Sequence, residues 1–446
     1  MRLIFLIAFR NLFRQKGRSI LIGLGVFVAV IYMMLSGALT KGIYSNVIEK
    51  VVESNIIGHV TVNIFEKEDS KTRSIIRERD KIISIIKDKM SNVKDVKEIV
   101  DTNVFAVGNG EGGMLALNGA HAPSISDLVV ISGNLEPFSD GSVENPLILE
   151  KPRAKALKVK AGDVVKVRLT TIYGQVQTAQ LNLVAVVEYR NPFMTAYFPA
   201  VVPLDELKSL LGYEKSETQR LNIALKKINK SDEMVAYADQ LHSIMQSEIS
   251  SLNNPVKLAE RSYSQADYQK KLRDIRKSSS NDSIMNITSL QEYDEETFSG
   301  EKTSEIVGFI AMLIVISIIL VGILNTMRMT VRERTNEIGT VRAIGMQRKT
   351  VIKTLLTEVF LLSIFCTVLG IFAAMGLMEL ISMVQFHPSD LNFSMILNDG
   401  HLVFKIPVST TVFNLILILT LFILSAWLPA RKAAKKTVAE ALGHFE

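Results

Sequence analysis

Ile306–Met327 reads IVGFIAMLIVISIILVGILNTM, 22 residues without a charge, held between Glu305 and Arg328. A helix crossing a bilayer core needs about 20 such residues, so this stretch reads as a membrane span. Three more uncharged stretches match it. Ser19–Thr40 lies between Arg18 and Lys41. Val359–Met378, within 354–380, lies between Glu358 and Glu379. Ile406–Ala430 lies between Lys405 and Arg431. None carries the polar stripe that a soluble helix turns to water. The first contains Ser36-Gly37-Ala38, small residues of the kind a signal cleavage site uses. Its apolar run of about 20 exceeds the roughly 7–15 of a signal segment, so it is expected to stay as a span.

Composition agrees with a mixed object. The chain has 446 residues, 48% apolar and 22% charged, with a mean hydropathy of +0.24. A few spans joined to a large hydrated region account for both figures. One Cys rules out a disulfide framework or a thiolate metal site. Six scattered His without HExxH spacing give no metal centre, and no GxxxxGK[ST] phosphate loop occurs in the chain. No GxSxG elbow or standing carboxylate pair marks a catalytic residue.

Charge orients the spans. The stretch before the first holds Arg2, Arg10, Arg14, Lys16 and Arg18. The loop after the second holds Arg328, Arg332, Arg334, Arg342, Arg348, Lys349 and Lys353, and the tail holds Arg431, Lys432, Lys435 and Lys436. Sixteen bases face four acids there, although the whole chain is only +6, so the remainder is net acidic. Basic segments stay on the cytoplasmic side, which puts both termini inside. The basic balance therefore reports topology and not nucleic-acid binding. The expected order is a cytoplasmic interfacial helix at 1–18, spans at 19–40, 306–327, 354–380 and 406–430, an extracytoplasmic α+β domain at 41–305, a cytoplasmic loop at 328–353, a short outer loop at 381–405 and a cytoplasmic tail at 431–446.

Within 41–305, Val47, Ile48, Val51, Val52 and Asn55 keep helical spacing and predict a stalk beyond the first span, with Gly58 ending it and His59–Ile64 alternating as a strand. Ile75, Ile76, Ile82, Ile83, Ile85 and Ile86 predict a helix in the charged stretch 66–97. Val164–Thr170 and Leu181–Val187 alternate about a turn at Gly174 and predict a hairpin. Asp205–Leu211 and Asp232–Met245 read as helices. The polar run 259–302, with Ser278-Ser279-Ser280-Asn281-Asp282, predicts a flexible connector and then a second stalk.

The inner loop holds the functional signal. Gly339 and Gly345 bracket a short segment in which Ile338, Val341, Ile344 and Met346 stand among charges, a helix that needs a groove on a partner. Glu337-Ile338-Gly339-Thr340-Val341-Arg342-Ala343-Ile344-Gly345-Met346 resembles the coupling-helix motif of FtsX/MacB/LolC/LolE-type ABC transporter permeases, the lipoprotein-releasing system among them. Ala8–Ser19 looks like their entry, Gly58-His59-Val60-Thr61-Val62 like the opening strand of their ectodomain, and Lys158–Asp163 like its Gly-Asp turn. Glu358 and Leu428-Pro429-Ala430-Arg431-Lys432-Ala433-Ala434 match in the same order.

The resemblance implies a type VII, MacB-like architecture of four transmembrane helices with a large α+β ectodomain on stalks. It implies mechanotransmission, in which a separate cytoplasmic ABC ATPase dimer of LolD/MacB type binds ATP and Mg, no cofactor sits in this chain, and a second permease chain completes a homo- or heterodimer in the inner membrane. Ile338, Val341, Ile344 and Met346 would then seat in the ATPase groove, with Glu337 and Arg342 at its rim. MacB itself fits less well, since its ATPase is fused to the permease. The expected cargo is a lipoprotein drawn from the outer leaflet, in the manner of LolC/LolE. The alternatives are MacB-like export of periplasmic substrates through an outer-membrane duct, and FtsX-like control of a wall hydrolase, for which the loop between the first two spans is long. The short turn Tyr173-Gly174-Gln175 leaves no room for a LolC-like chaperone hook. Gly25 with Ala29, Gly322 with Thr326, and Gly370 with Ala374 predict close span packing. Glu358 is expected to face protein or the membrane interface, because a charge in lipid is costly.

Overall fold

The computed structural model describes residues 10, 16–53, 57–68, 71–121, 128–189, 199–226, 228, 232–278, 281–386, 396–398 and 400–435. Most of the expected interfacial helix at 1–18, the tail beyond 435, and Ser279 and Ser280 of the expected loop lie outside these residues. The chain forms two units: residues 1–45, 300–386 and 400–446 in one, residues 46–299 and 387–399 in the other.

Four helices in the described residues are long and apolar enough to cross a membrane: Ile22–Val52, Gly300–Glu333, Arg348–Ser382 and Val408–Lys435. The first belongs to a continuous helix, Lys16–Glu53. In the first unit its Val26, Ala29, Val30, Met33 and Met34 lie at helical spacing in one buried cluster with Met312, Ile316, Val359, Ala374, Ile418 and Phe422 from the other three. Small residues set the approach. A Cβ on Gly25 would stand 2.5 Å from the Ile319 side chain, and one on Gly370 would stand 3.0 Å from Val30 Cβ. Ala29 and Ala374 are buried in the same cluster. Gly322, in contrast, meets nothing within 4 Å, and Thr326 returns its hydroxyl to the Gly322 carbonyl at 2.9 Å. Outside the hydrocarbon stretch, Lys41 and Glu301 pair at 2.9 Å, joining the first two long helices.

The second unit is α+β. Its first sheet uses β1 (Val60–Glu68), β2 (Lys71–Ser74) and β3 (Val93–Ile99). The chain then makes β4 (Asp101–Gly108), β5 (Glu111–Ala120), β6 (Leu128–Gly133), β7 (Pro146–Glu150), β8 (Val164–Thr170), β9 (Val176–Tyr189) and β10 (Ala200–Pro203) as a second sheet. It returns to the first with β11 (Arg220–Leu225), β12 (Val256–Leu258) and β13 (Ser283–Ser289). The first sheet runs β12-β13-β1-β11-β3, with β2 on β1. The second runs β6-β9-β7-β10-β5-β4-β8, and β8 also pairs with β9, so the sheet closes on itself. Val104, Leu117, Leu147, Leu149, Val165 and Leu181 fill its interior, the inward half of strands that alternate with period two. The second sheet is thus an insertion between β3 and β11.

The protein is therefore a membrane protein with four candidate membrane helices and a large α+β domain. The hairpin forms with Val164 opposite Asn182 and Thr170 opposite Val176, its turn at Gly174 in the left-handed region at φ +79°. The helices expected at 205–211 and 232–245 occupy Leu204–Leu211 and Asp232–Glu248. Val51 and Val52 of the stalk pack with Ile57, Met234 and Leu290.

Two expectations are corrected. Ile75 and Ile76 are not helical. Ile75 N–H donates to the Ile64 carbonyl at 2.9 Å and Ile76 bridges Thr218, while the helix is confined to Arg79–Lys89, burying Ile82 and Ile86. Nor is 259–302 a flexible connector. It holds a helix at Gln265–Lys277, capped by Ser264, and the strand β13 beside β1. The polarity misleads at one pair above all: Arg261 and Glu292 face each other and not water, while most charges of the helix are exposed. Arg261, 6% exposed, reaches Glu292 at 2.5 Å and Asp239 at 2.8 Å, and Glu292 is fully buried. Glu292 and Ser289 close a capping box where β13 turns into the short helix Leu290–Tyr293, which ends at Asp294 before the long helix begins at Glu295.

Candidate functional site

The second long helix ends at Glu333 and a shorter one, Thr335–Ala343, follows at once. Arg334 between them sits at φ −91°, ψ 10°, a bend and not a break, because Ile338 N–H still donates to the Arg334 carbonyl at 2.9 Å. The short helix stops in a Schellman arrangement. Gly345 is left-handed at φ +107°, its N–H donates to the Arg342 carbonyl at 3.1 Å, and Met346 N–H donates to the Val341 carbonyl at 3.2 Å. Glycine is needed there because an L side chain rarely adopts that φ. The chain then extends at Gln347 and enters the third long helix at Arg348.

That turn divides the expected anchors. Ile338 and Met346 pack against a cluster of Val331, Val351, Leu355, Ala430, Ala433 and Ala434, contributed by the second, third and fourth long helices. Val341 and Ile344 point away, 38% and 83% exposed. Gly339 is buried against the fold, while Glu337, Thr340 and Ala343 are exposed and Arg342 is half-buried. The segment is thus a platform, held below by two apolar side chains and open above through two others.

A charged contact fixes its base. Arg334 Nη1 donates to Glu358 Oε2 at 2.9 Å and Nη2 to Oε1 at 3.2 Å. The side chains are 8% and 14% exposed. A carboxylate at this depth requires a cation, and a guanidinium satisfies both oxygens at once. The sequence marks Glu358 but not its partner. The available signal was an arginine at the bend that starts the same short helix.

Among the described residues no group of three His, Cys, Asp or Glu is placed to hold a metal ion. In the α+β domain His59 is buried, accepts the Leu225 N–H through Nδ1 at 3.0 Å, and burial lowers its pKa to about 4. It stays neutral and holds β1 to β11. Lys271 is brought down to about 8 by burial beside Arg261.

Residues 309–438 match the family described as FtsX-like permease C-terminal. The chain is 32% identical over 135 residues to the macrolide export ATP-binding/permease protein MacB of Agrobacterium fabrum, covering 30% of this chain and 19% of that protein. It is 31% identical over 122 residues to the pyoverdine export ATP-binding/permease protein PvdT of Pseudomonas syringae, covering 27% and 16%. The chain therefore spans about a fifth of the length of the curated relatives it matches. Against the periplasmic region of MacB from Actinobacillus actinomycetemcomitans, the alignment covers 45% of this chain and 88% of that one at 14% identity, with a TM-score of 0.28. The matched 130-residue stretch encloses the bend at Arg334, the platform helix and the acid that anchors it, so it is over this part that the chain is similar to FtsX-like permeases.

Proposed function

We propose that this chain is the permease subunit of an ABC transporter, worked by a separate ATPase that binds ATP and Mg, and that it passes the motor's movement to its extracytoplasmic domain. One observation carries the reading: the helix Thr335–Ala343 is fastened to three long helices through Ile338 and Met346 and leaves Val341 and Ile344 uncovered. A loop serving only to connect spans has no reason to hold two apolar side chains in water on a fastened helix. A partner groove that covers them would transmit its displacement into the second and third long helices. The positive-inside distribution supports a platform facing the cytoplasm, with both termini on that side of the inner membrane, and the permease would act as a dimer of two such chains.

For the cargo, the lipoprotein-releasing reading rests on the ordered motif resemblance across the chain. Export in the MacB manner is the second reading, and the similarity to macrolide and pyoverdine export proteins favours it. Affinity purification of the tagged full chain, followed by identification of co-purified nucleotide-binding subunits, tests the motor. Full ATPase recovery with Val341→Asp plus Ile344→Asp would overturn it. ATP-dependent release of a lipid-anchored protein from proteoliposomes holding the complex decides between the cargoes.

A further inference from the structure

The closed sheet carries a surface that its own fold does not use. In β4 the register sets Phe105 opposite both Met114 of β5 and Arg168 of β8, and Val107 opposite Lys166. Directly paired residues share a face, so these five side chains form one outward patch. Met114 is 64% exposed and Phe105 is 42% exposed. The Phe105 ring lies across Gly112, where an added Cβ would stand 3.0 Å from Cζ. A solvated sheet face is ordinarily polar, and this one is apolar at its centre.

Its charge is one-sided. Neither Asn103–Val107, Gly112–Ala116 nor Val164–Thr170 contains an acid. The neighbouring Glu111 is held by Lys158 at 2.8 Å. Lys166 and Arg168 are exposed and form no ion pair among the described residues. Phe, Met and Arg are the residue types enriched at the centre of protein interfaces. Two cations fall well short of the four to eight that read as an anionic-lipid site.

We propose that this face of the closed sheet, built on Phe105, Val107, Met114, Lys166 and Arg168, docks a partner protein that presents carboxylates beside an apolar tip. The patch lies outside the coupling segment, so its test is blind to whether the motor reading holds.

The test uses the full chain in its native membrane with a photoreactive benzophenone side chain at position 114. Irradiation yields a discrete protein adduct whose cross-linked peptide carries Asp or Glu. Lys166→Glu with Arg168→Glu lowers its yield at least tenfold, and Lys166→Gln with Arg168→Gln lowers it severalfold without adding repulsion. Thermal unfolding of both variants matches the parent, since the sites are exposed. No adduct, an adduct indifferent to both charge changes, a lipid adduct, or one at twice the chain's mass (a second copy) would each overturn the proposal.

Discussion

Arg334 and Glu358 meet through two contacts of 2.9 and 3.2 Å, one from each terminal guanidinium nitrogen to a different carboxylate oxygen, tying the bend after the second long helix to the flank of the third. Both side chains are largely withdrawn from solvent. Such a pair is weak evidence for net stability, but breaking one side leaves a stranded charge. Arg334→Met should therefore cost about 3 kcal/mol, read as a lower unfolding midpoint of the detergent-solubilised chain. Adding Glu358→Met should recover most of the loss. Equal loss in the single and double variants would show that the contact does not hold the bend.

The platform's two faces should respond differently to the same change. Ile344→Asp places a charge where the side chain is already in water, so the fold is kept while ATPase recovery falls at least tenfold. Ile338→Asp buries a charge against Val351 and Ala433, and both recovery and thermal midpoint fall. Parallel measurement of the midpoint and of co-purified ATPase separates them. Identical behaviour would remove the distinction between held and open faces.

Gly345 should tolerate no side chain. At φ +107°, Gly345→Ala is strained although nothing lies within 4 Å of its Cβ. The expected cost is about 1–2 kcal/mol, visible as a lower midpoint and a frayed Schellman turn by hydrogen exchange at Met346.

Span packing gives a sharp pair. Gly370→Leu drives a side chain into Val30 and should cost about 1–3 kcal/mol. Gly322→Leu enters open space within this chain and should leave the midpoint unchanged. A matched loss in both would mean that the open side of the second long helix is not open.

His59 gives the α+β domain a pH response of definite sign. Its folded pKa is about 4, below the ordinary 6.5, because burial disfavours the imidazolium. Below pH 6.5 the unfolded chain takes up the proton first, so this group's contribution is whole above about 6.5 and is lost as pH falls toward 4, by about 3 kcal/mol in all. His59→Asn, which keeps an acceptor for the Leu225 N–H, should flatten that part of the stability curve, measured by chemical unfolding at pH 7, 6, 5 and 4.

The spans were legible because a charge-free run of this length has one physical reading, as Ile306–Met327 shows. The hairpin was legible because Val165, Val167 and Leu169 alternate against polar neighbours around a glycine. The short helix was legible through Gly345, whose conformation ends it. The ordered fold of 259–295 was not, because Arg261 and Glu292 look like surface charges until their geometry is seen. The division between Ile338 and Val341 was equally hidden, since periodicity marks apolar positions without saying which of two neighbours takes them. The partner of Glu358 was out of reach because the pairing spans 24 residues across a turn.

The two long helices that enter the α+β domain feed β1 and β13, and these are adjacent, antiparallel strands registered from Val60–Ser289 to Phe65–Ile284. Any load carried along these helices would arrive at the same end of one ladder. Spreading the helices strains the rungs singly, starting at Val60, whereas sliding one along the other loads every rung together. A domain attached in this way is compliant to splaying and stiff to shear, so a piston-like stroke would be delivered with little loss while a scissoring one would be absorbed at the root.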